Sequence, residues 1–270
     1  MDSAAWLAGD DPIVGIVDAE TDATGPQSGG EGVEAVEAIA AALDDREAEL
    51  VTGAAEDVLS ARPSLLVTIG ERALTTIART EPDVPVLPAG TVPGIEAVDR
   101  TDLDAAIAAA LDGEAIERPR PVLGVELASR SATARDRALF DVTLVTAEPA
   151  RISEYAITSR DDPIARFRAD GVVVATAAGS HGYARAVDAP QLSPAVDAVA
   201  VSPIAPFVTD TRRWVLPDDD VVLTVERDEG DVRLLADDRA VGTVAADASV
   251  SVGVDGTLST LVVSGNERDS

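Results

Sequence analysis

Residues 169–190, ADGVVVATAAGSHGYARAVDAP, hold the side chains of this chain best suited to chemistry. An Asp-Gly pair (Asp170, Gly171) precedes the apolar run VVVAT. That run opens into a loop from Thr176 through Gly179, Ser180, His181 and Gly182, and ordered structure resumes at Tyr183. Small residues after a buried strand let backbone N–H groups approach a bound group closely. The loop also carries the only histidine of the chain and one of its two tyrosines. A Ser180–His181 nucleophile and base is a poor reading, because sequence neighbours on one loop rarely present such groups to each other. Without a ligand, the same stretch is a plain strand-to-turn connection.

The elements around the loop divide the chain in two. In the first part, the apolar runs at 12–18, 48–53, 64–70 and 83–90 read as strands. The stretches 32–44, 54–62, 71–79 and 102–114 show helical spacing, and 19–31 is a polar, Gly-rich loop. This alternation predicts an α/β N-terminal domain over 1–114, a small doubly wound parallel sheet. From about 115 the strands follow one another without helices, at 119–129, 138–147, 152–159, 164–176, 196–205, 220–227, 231–244, 248–254 and 257–265. Alternating apolar and polar residues between Asp, Gly and Pro clusters predict an antiparallel, β-sandwich C-terminal domain over 115–270, whose last strand could pack back on the first domain.

Composition excludes several function classes. Asp and Glu number 49 against 21 basic residues, all of them arginine, for a net charge of −28. The acid is spread along the chain, which fits a protein kept soluble in a salt-filled cytoplasm, where screening shortens charge repulsion. Nucleic-acid binding needs a basic footprint and stacking aromatics, and aromatics are only 3% here. The absence of cysteine excludes disulfides and thiolate metal sites, and a single histidine excludes a multi-histidine metal centre. The opening residues MDSAAWLAGDDP have neither a basic region nor a long apolar segment, and no apolar run is long enough to span a membrane. A cytoplasmic location is the expectation.

Two segments resemble the NAD kinase family. DGVVVATAAGSHGYARAVDAP is similar to that family's Asp-Gly, strand, T-P-T-G-S-T-A-Y segment, and SPIAPFVTDTRRWVLPDD (202–219) is similar to its T-P-I-A-P-H…R-P-L-V-L-P segment. The order of an α/β domain and then a β-rich domain agrees as well. The resemblance implies an NAD kinase-like fold, assembly as dimers or tetramers, and transfer of the ATP γ-phosphate to the 2′-hydroxyl of the NAD adenosine ribose. Such a transfer needs ATP with Mg²⁺, a carboxylate near the acceptor hydroxyl, and a pocket for the dinucleotide.

Carried over residue by residue, the resemblance makes Asp141, Asp170, Thr176, Gly179, Ser180, His181 and Tyr183 the nucleotide-binding candidates. The family's Asn-Glu/Asp pair falls on Phe140-Asp141, which keeps the acid and loses the amide. His181 stands where the family has Thr. The family's G-G-D-G-T loop falls on Ile69-Gly70-Glu71-Arg72-Ala73. Glu71 then takes the place of the catalytic acid, with Gly70 and Arg72 as the phosphate loop. A side chain at 72 would hinder close backbone approach to phosphates, although Arg72 could offer a positive charge in exchange. The altered loop keeps an alternative open: a family member without catalysis that binds a nucleotide or a protein partner through the same site.

Overall fold

In the computed structural model, the described residues are 12–18, 39, 43, 46, 48–129, 133–148, 151–208, 212–227, 230–246 and 248–263. They divide into two units: 1–119 with 258–270, and 120–257. The expected 19–31 loop lies outside the described residues. So does most of the expected 32–44 helix, of which Ile39 and Leu43 are described, both helical and buried.

The first unit grows from short runs of β-branched and leucine residues. Strands β1 (Ile13–Asp18), β2 (Glu49–Gly53), β3 (Leu65–Ile69) and β4 (Val86–Ala89) pair in parallel in the order β2-β1-β3-β4. Helices α1 (Ala55–Ser60) and α2 (Glu71–Ala78) follow β2 and β3, and α3 (Leu103–Leu111) follows β4. The helical spacing of Leu103, Ala106, Ile107 and Ala110 gives α3 an apolar stripe, which joins Ile39, Leu43 and the strand residues Val14, Ile16, Leu65, Val67 and Leu87 in one core. Across the sheet, α1 packs so closely on β1 that a Cβ on Gly15 would lie 2.4 Å from the Val58 side chain. Helices therefore cover both faces, as a doubly wound sheet requires.

The second unit is a sandwich of two antiparallel layers. One layer runs β12 (Trp214–Pro217), β11 (Ala198–Ile204), β10 (Gly171–Ala175), β7 (Asp141–Thr146), β14 (Val232–Ala236), β15 (Arg239–Val244). The other contains β5 (Ala115–Ala128) paired with β6 (Thr133–Ala138), and β8 (Ser153–Ser159) between β9 (Asp162–Ala169) and β13 (Val221–Arg227). Strand β13 pairs onward with β16 (Ser249–Val263). Val142, Leu144, Val172, Val174 and Leu234 of the first layer meet Leu123, Tyr155, Ile157 and Leu223 of the second in one core. Strand β16 continues past residue 257, where Thr260 pairs in parallel with Val86 of β4.

Several strands differ from the sequence expectation. The run 164–176 is two strands in different layers, β9 and β10, because the chain changes sheet at Asp170-Gly171. Gly171 allows this: a Cβ there would lie 2.3 Å from the Leu144 carbonyl oxygen. The run 138–147 starts as β7 only at Asp141, after a bend at Leu139-Phe140 that carries the chain across from β6. The run 231–244 is a hairpin, β14 and β15, turning at Asp237-Asp238 with Asp237 in the left-handed region at φ 52°. The runs 248–254 and 257–265 are one strand, β16, kinked at Gly256 with φ 94°. Two helical turns also interrupt the β half, a 3₁₀ turn at Gly179–His181 and a short helix α4 (Tyr183–Ala186).

Candidate functional site

Strand β10 sets the position of the loop that follows it. It is buried on both faces, which is why its sequence is a continuous apolar run. Val172 and Val174 enter the sandwich core, while Val173 and Ala175 face a second apolar cluster with Ala177, Ala184, Ala189, Leu192 and Ala200. The loop from Ala177 to Leu192 thus folds back over its own strand. Ala175 pairs with Asp141 across the β10–β7 ladder, so the end of β10 meets the start of β7.

At that junction the candidate residues lock together. The Thr176 hydroxyl lies 2.8 Å from the Leu139 carbonyl oxygen and 3.2 Å from that of Phe140, and the Thr176 N–H donates to Phe140 O at 2.9 Å. The Gly179 N–H donates to Thr176 Oγ1 at 3.1 Å. A Cβ on Gly179 would sit 2.0 Å from the Phe140 carbonyl oxygen, so this seat admits only glycine. Ser180 is fully buried. Its hydroxyl donates to Ala177 O at 2.7 Å and accepts the Leu192 N–H at 3.0 Å. With both capacities used inside the loop, Ser180 holds the loop's shape and does not face outward.

His181 and Tyr183 point the other way. His181 is exposed, while its Nδ1 reaches back to the Ala177 carbonyl at 3.1 Å and the Ser180 hydroxyl at 3.3 Å. Tyr183 is 50% exposed, and burial followed by the negative charge of Asp141 pushes its phenol above the ordinary tyrosine value. Asp141 is 7% exposed and accepts the Thr143 hydroxyl at 3.0 Å. A carboxylate and a half-buried phenol therefore stand beside the loop, able to accept from and donate to a polar ligand that carries hydroxyls.

The structure brings Asp141, Thr176, Gly179, Ser180, His181 and Tyr183 together, but not Asp170. Six residues of extended chain, at about 3.3 Å each, separate Asp170 from Thr176 by roughly 20 Å. The Asp170 carbonyl accepts the Thr146 N–H at 2.9 Å and the Tyr155 hydroxyl at 3.3 Å, which ties the sheet crossing down. At that end of the unit, Arg166, Phe167, Arg168, Phe207, Arg212 and Trp214 line a groove of about 330 Å³. Phe167 stacks on Trp214 at 5.7 Å, and the Arg168 guanidinium lies 5.6 Å from the Phe207 ring centre.

In the first unit, Gly70, Glu71 and Arg72 stand at the carboxyl end of β3, beside the point where the strand order reverses between β1 and β3. Open parallel sheets hold their ligands at this edge. Gly70 has φ 82°, and a Cβ there would meet nothing within 4 Å, so open space faces its Cα. Glu71 and Arg72 form the exposed first turn of α2, whose N-cap Gly70 offers no side-chain cap. Gly90 (φ 86°) lies alongside, and a Cβ on it would be 3.7 Å from Gly70 N and 3.4 Å from Arg100 Nε. The sequence reading did not single out Arg100, because no periodic pattern ties position 100 to the end of β3. Nor did it single out Asp237, whose carboxylate reaches the bend at 139–140 from the β14–β15 turn.

The profile of the ATP-NAD kinase C-terminal domain matches residues 139–259, a span that contains the whole constellation around Thr176. The NAD kinase of Methanothermobacter thermautotrophicus is 32% identical over 178 residues, which is 62% of this chain and 59% of that protein. The NAD kinase of Methanosarcina barkeri is 40% identical over 79 residues, 29% of each chain. The matched regions thus span about three tenths to three fifths of these relatives. Among solved structures, yeast NADH kinase complexed with NADH superposes with a TM-score of 0.79 over 95% of this chain and 85% of its own, at 18% identity. An NAD kinase from Archaeoglobus fulgidus in complex with ATP gives 0.72 over 94% and 95%, also at 18% identity.

Proposed function

We propose that this chain is a member of the NAD kinase family, a phosphotransferase that makes NADP from NAD and ATP. The observation that carries this reading is the interlocked set of Asp141, Thr176, Gly179 and Tyr183, built at the point that corresponds to the family's dinucleotide loop. In this reading the loop's backbone, the exposed Tyr183 and the buried Asp141 carboxylate beside it orient the adenosine of NAD. The reaction attaches the γ-phosphoryl group to the ribose 2′-oxygen, breaks its bond to the ADP oxygen, and releases the hydroxyl proton to a base.

Glu71 stands where the family has its catalytic acid, so it is the base in this proposal, and the open face at Gly70 is where the triphosphate would lie. Arg72, in place of the family's third glycine, and Arg100 supply positive charge at the same edge. Mg²⁺ in such sites is held largely by the phosphates with one or two carboxylates. Asp18, which pairs with Ile69 at the end of β1, is the carboxylate that would hold it at this edge, leaving Glu71 for the proton. The metal would neutralise charge on the transferring group.

The spread of acidic charge supports work in a salt-filled cytoplasm, and the family resemblance supports a homo-oligomer. The test is purified protein in molar KCl with ATP, Mg²⁺ and NAD, with NADP detected by a coupled enzyme. NADP should form, and Glu71→Ala should abolish it. Binding of NAD without product would favour the non-catalytic alternative, while neither product nor a thermal shift with NAD, NADP or ATP would overturn both.

A further inference from the structure

We infer that Asp237 is a positioning residue for the dinucleotide, acting through the backbone of residues 139–141; this rests on the nucleotide-binding reading above. Asp237 sits in the two-residue turn between β14 and β15, far along the chain from the loop it touches. Its carboxylate accepts the N–H groups of Leu139 at 3.0 Å, Phe140 at 2.8 Å and Asp141 at 3.2 Å. Its own N–H donates to the Asp141 carbonyl at 2.8 Å. From the other side, the Thr176 hydroxyl reaches the carbonyls of Leu139 and Phe140.

All the N–H and C=O groups of the 139–141 segment are therefore engaged by two side chains and two main-chain partners. The segment needs them. It is where the chain crosses between the layers of the sandwich, so Leu139 and Phe140 lie outside any strand. Two functional features hang on its placement: the Phe140 carbonyl that walls the seat of Gly179, and the Asp141 carboxylate beside Tyr183.

The choice of residue in the turn also points to the carboxylate. Asp237 has φ 52°, a conformation that glycine and asparagine adopt most readily in such hairpins. A residue selected for the turn alone would be one of those. An ionised carboxylate accepts several N–H groups at once, with stronger bonds than a neutral acceptor makes. Asparagine keeps the oxygen facing Phe140 and Asp141 but turns an NH₂ toward the Leu139 N–H, donor against donor.

The experiment compares wild type with Asp237→Asn and Asp237→Ala in molar KCl. It measures the thermal midpoint, the affinity for NAD by calorimetry, and the KM values for NAD and ATP. Asp237→Asn should stay folded and weaken NAD about ten- to a hundredfold, the range expected for a displacement near 1 Å at a binding group. Its KM for ATP should change less than about twofold, and Asp237→Ala should weaken NAD further. Unchanged NAD affinity in a folded Asp237→Asn protein overturns the inference, as does a parallel loss for NAD and ATP that tracks the thermal midpoint. A wild type that neither binds nor phosphorylates NAD overturns the functional reading beneath it, and this inference with it.

Discussion

Replacing Gly179 with alanine tests the geometry of the loop directly. The added Cβ would lie 2.0 Å from the Phe140 oxygen, 2.5 Å from its carbonyl carbon and 3.0 Å from its Cα. All three are backbone atoms, so no side chain can rotate away. To reach a tolerable carbon–oxygen contact the two segments must part by about 1 Å. The bonds from Gly179 N to Thr176 Oγ1 at 3.1 Å and from Thr176 Oγ1 to Phe140 O at 3.2 Å would then stretch beyond useful length. Overpacking costs about 1–3 kcal/mol and each lost bond about 1 kcal/mol, so Gly179→Ala should destabilise by about 3–5 kcal/mol. Urea unfolding in molar KCl reads this as a lower midpoint at constant slope. Gly182→Ala is the matched control. At Gly182 the Cβ would meet only Gly179 O at 3.6 Å, so alanine there brings no clash, only the strain of its φ −93°, ψ −125° backbone, about 1–3 kcal/mol. A loss below about 1 kcal/mol at Gly179, or equal losses at both glycines, would refute the reasoning.

Other outcomes follow from the same contacts. Ser180→Ala should cost about 1–2 kcal/mol, because it leaves the buried Leu192 N–H without its partner. It should leave NAD affinity within about twofold, since the hydroxyl faces inward; calorimetry checks the second point. Burial and the Asp141 charge both oppose the Tyr183 phenolate, so its folded pKa lies above the ordinary value near 10. The stability this contributes is full below that ordinary value and is lost as pH rises through the folded one. In Asp141→Asn the tyrosinate absorbance near 295 nm should appear at lower pH than in wild type. No downward move would mean that the two groups are not neighbours. Tyr155 should ionise later in both proteins, because burial pushes it higher still.

The first unit was readable from sequence because its elements are local. Each of β1, β3 and β4 is an apolar run bounded by Gly, Pro or Asp, and the stripe Leu103, Ala106, Ile107, Ala110 repeats at helical spacing. The second unit was readable as a stack of strands but not as a path between layers. Residues on both sides of Asp170 have strand character, so nothing local separates β9 from β10. The separation comes from the close approach of Gly171 to the Leu144 carbonyl, a contact made across the sheet. At β16 the error ran the other way. Asp255 and Gly256 have turn composition, yet the strand continues, because the Arg137 guanidinium binds the Asp255 carbonyl and carboxylate and holds the kink in register.

The candidate site shows why a motif read from sequence mixes several roles. Thr176, Gly179 and Ser180 belong to the recognisable loop, but all three turn inward, where they tie the loop to residues 139–140 and to Leu192. What remains exposed is His181 and Tyr183 at the edge of the loop, with the buried carboxylate of Asp141, from another strand, beside Tyr183. A 3₁₀ turn has about three residues per turn, so neighbours at 179–181 cannot share a face. This explains how His181 can stand where the family has Thr: the position is exposed, and its ring only leans back on Ala177 and Ser180. Asp237 was invisible for the opposite reason. Its partners lie 96 to 98 residues away along the chain, and a carboxylate in a turn carries no mark of the amides it will meet. The residues that shape this site are therefore easier to read from the sequence than those that face a ligand, and a distant residue that positions both is the hardest of all.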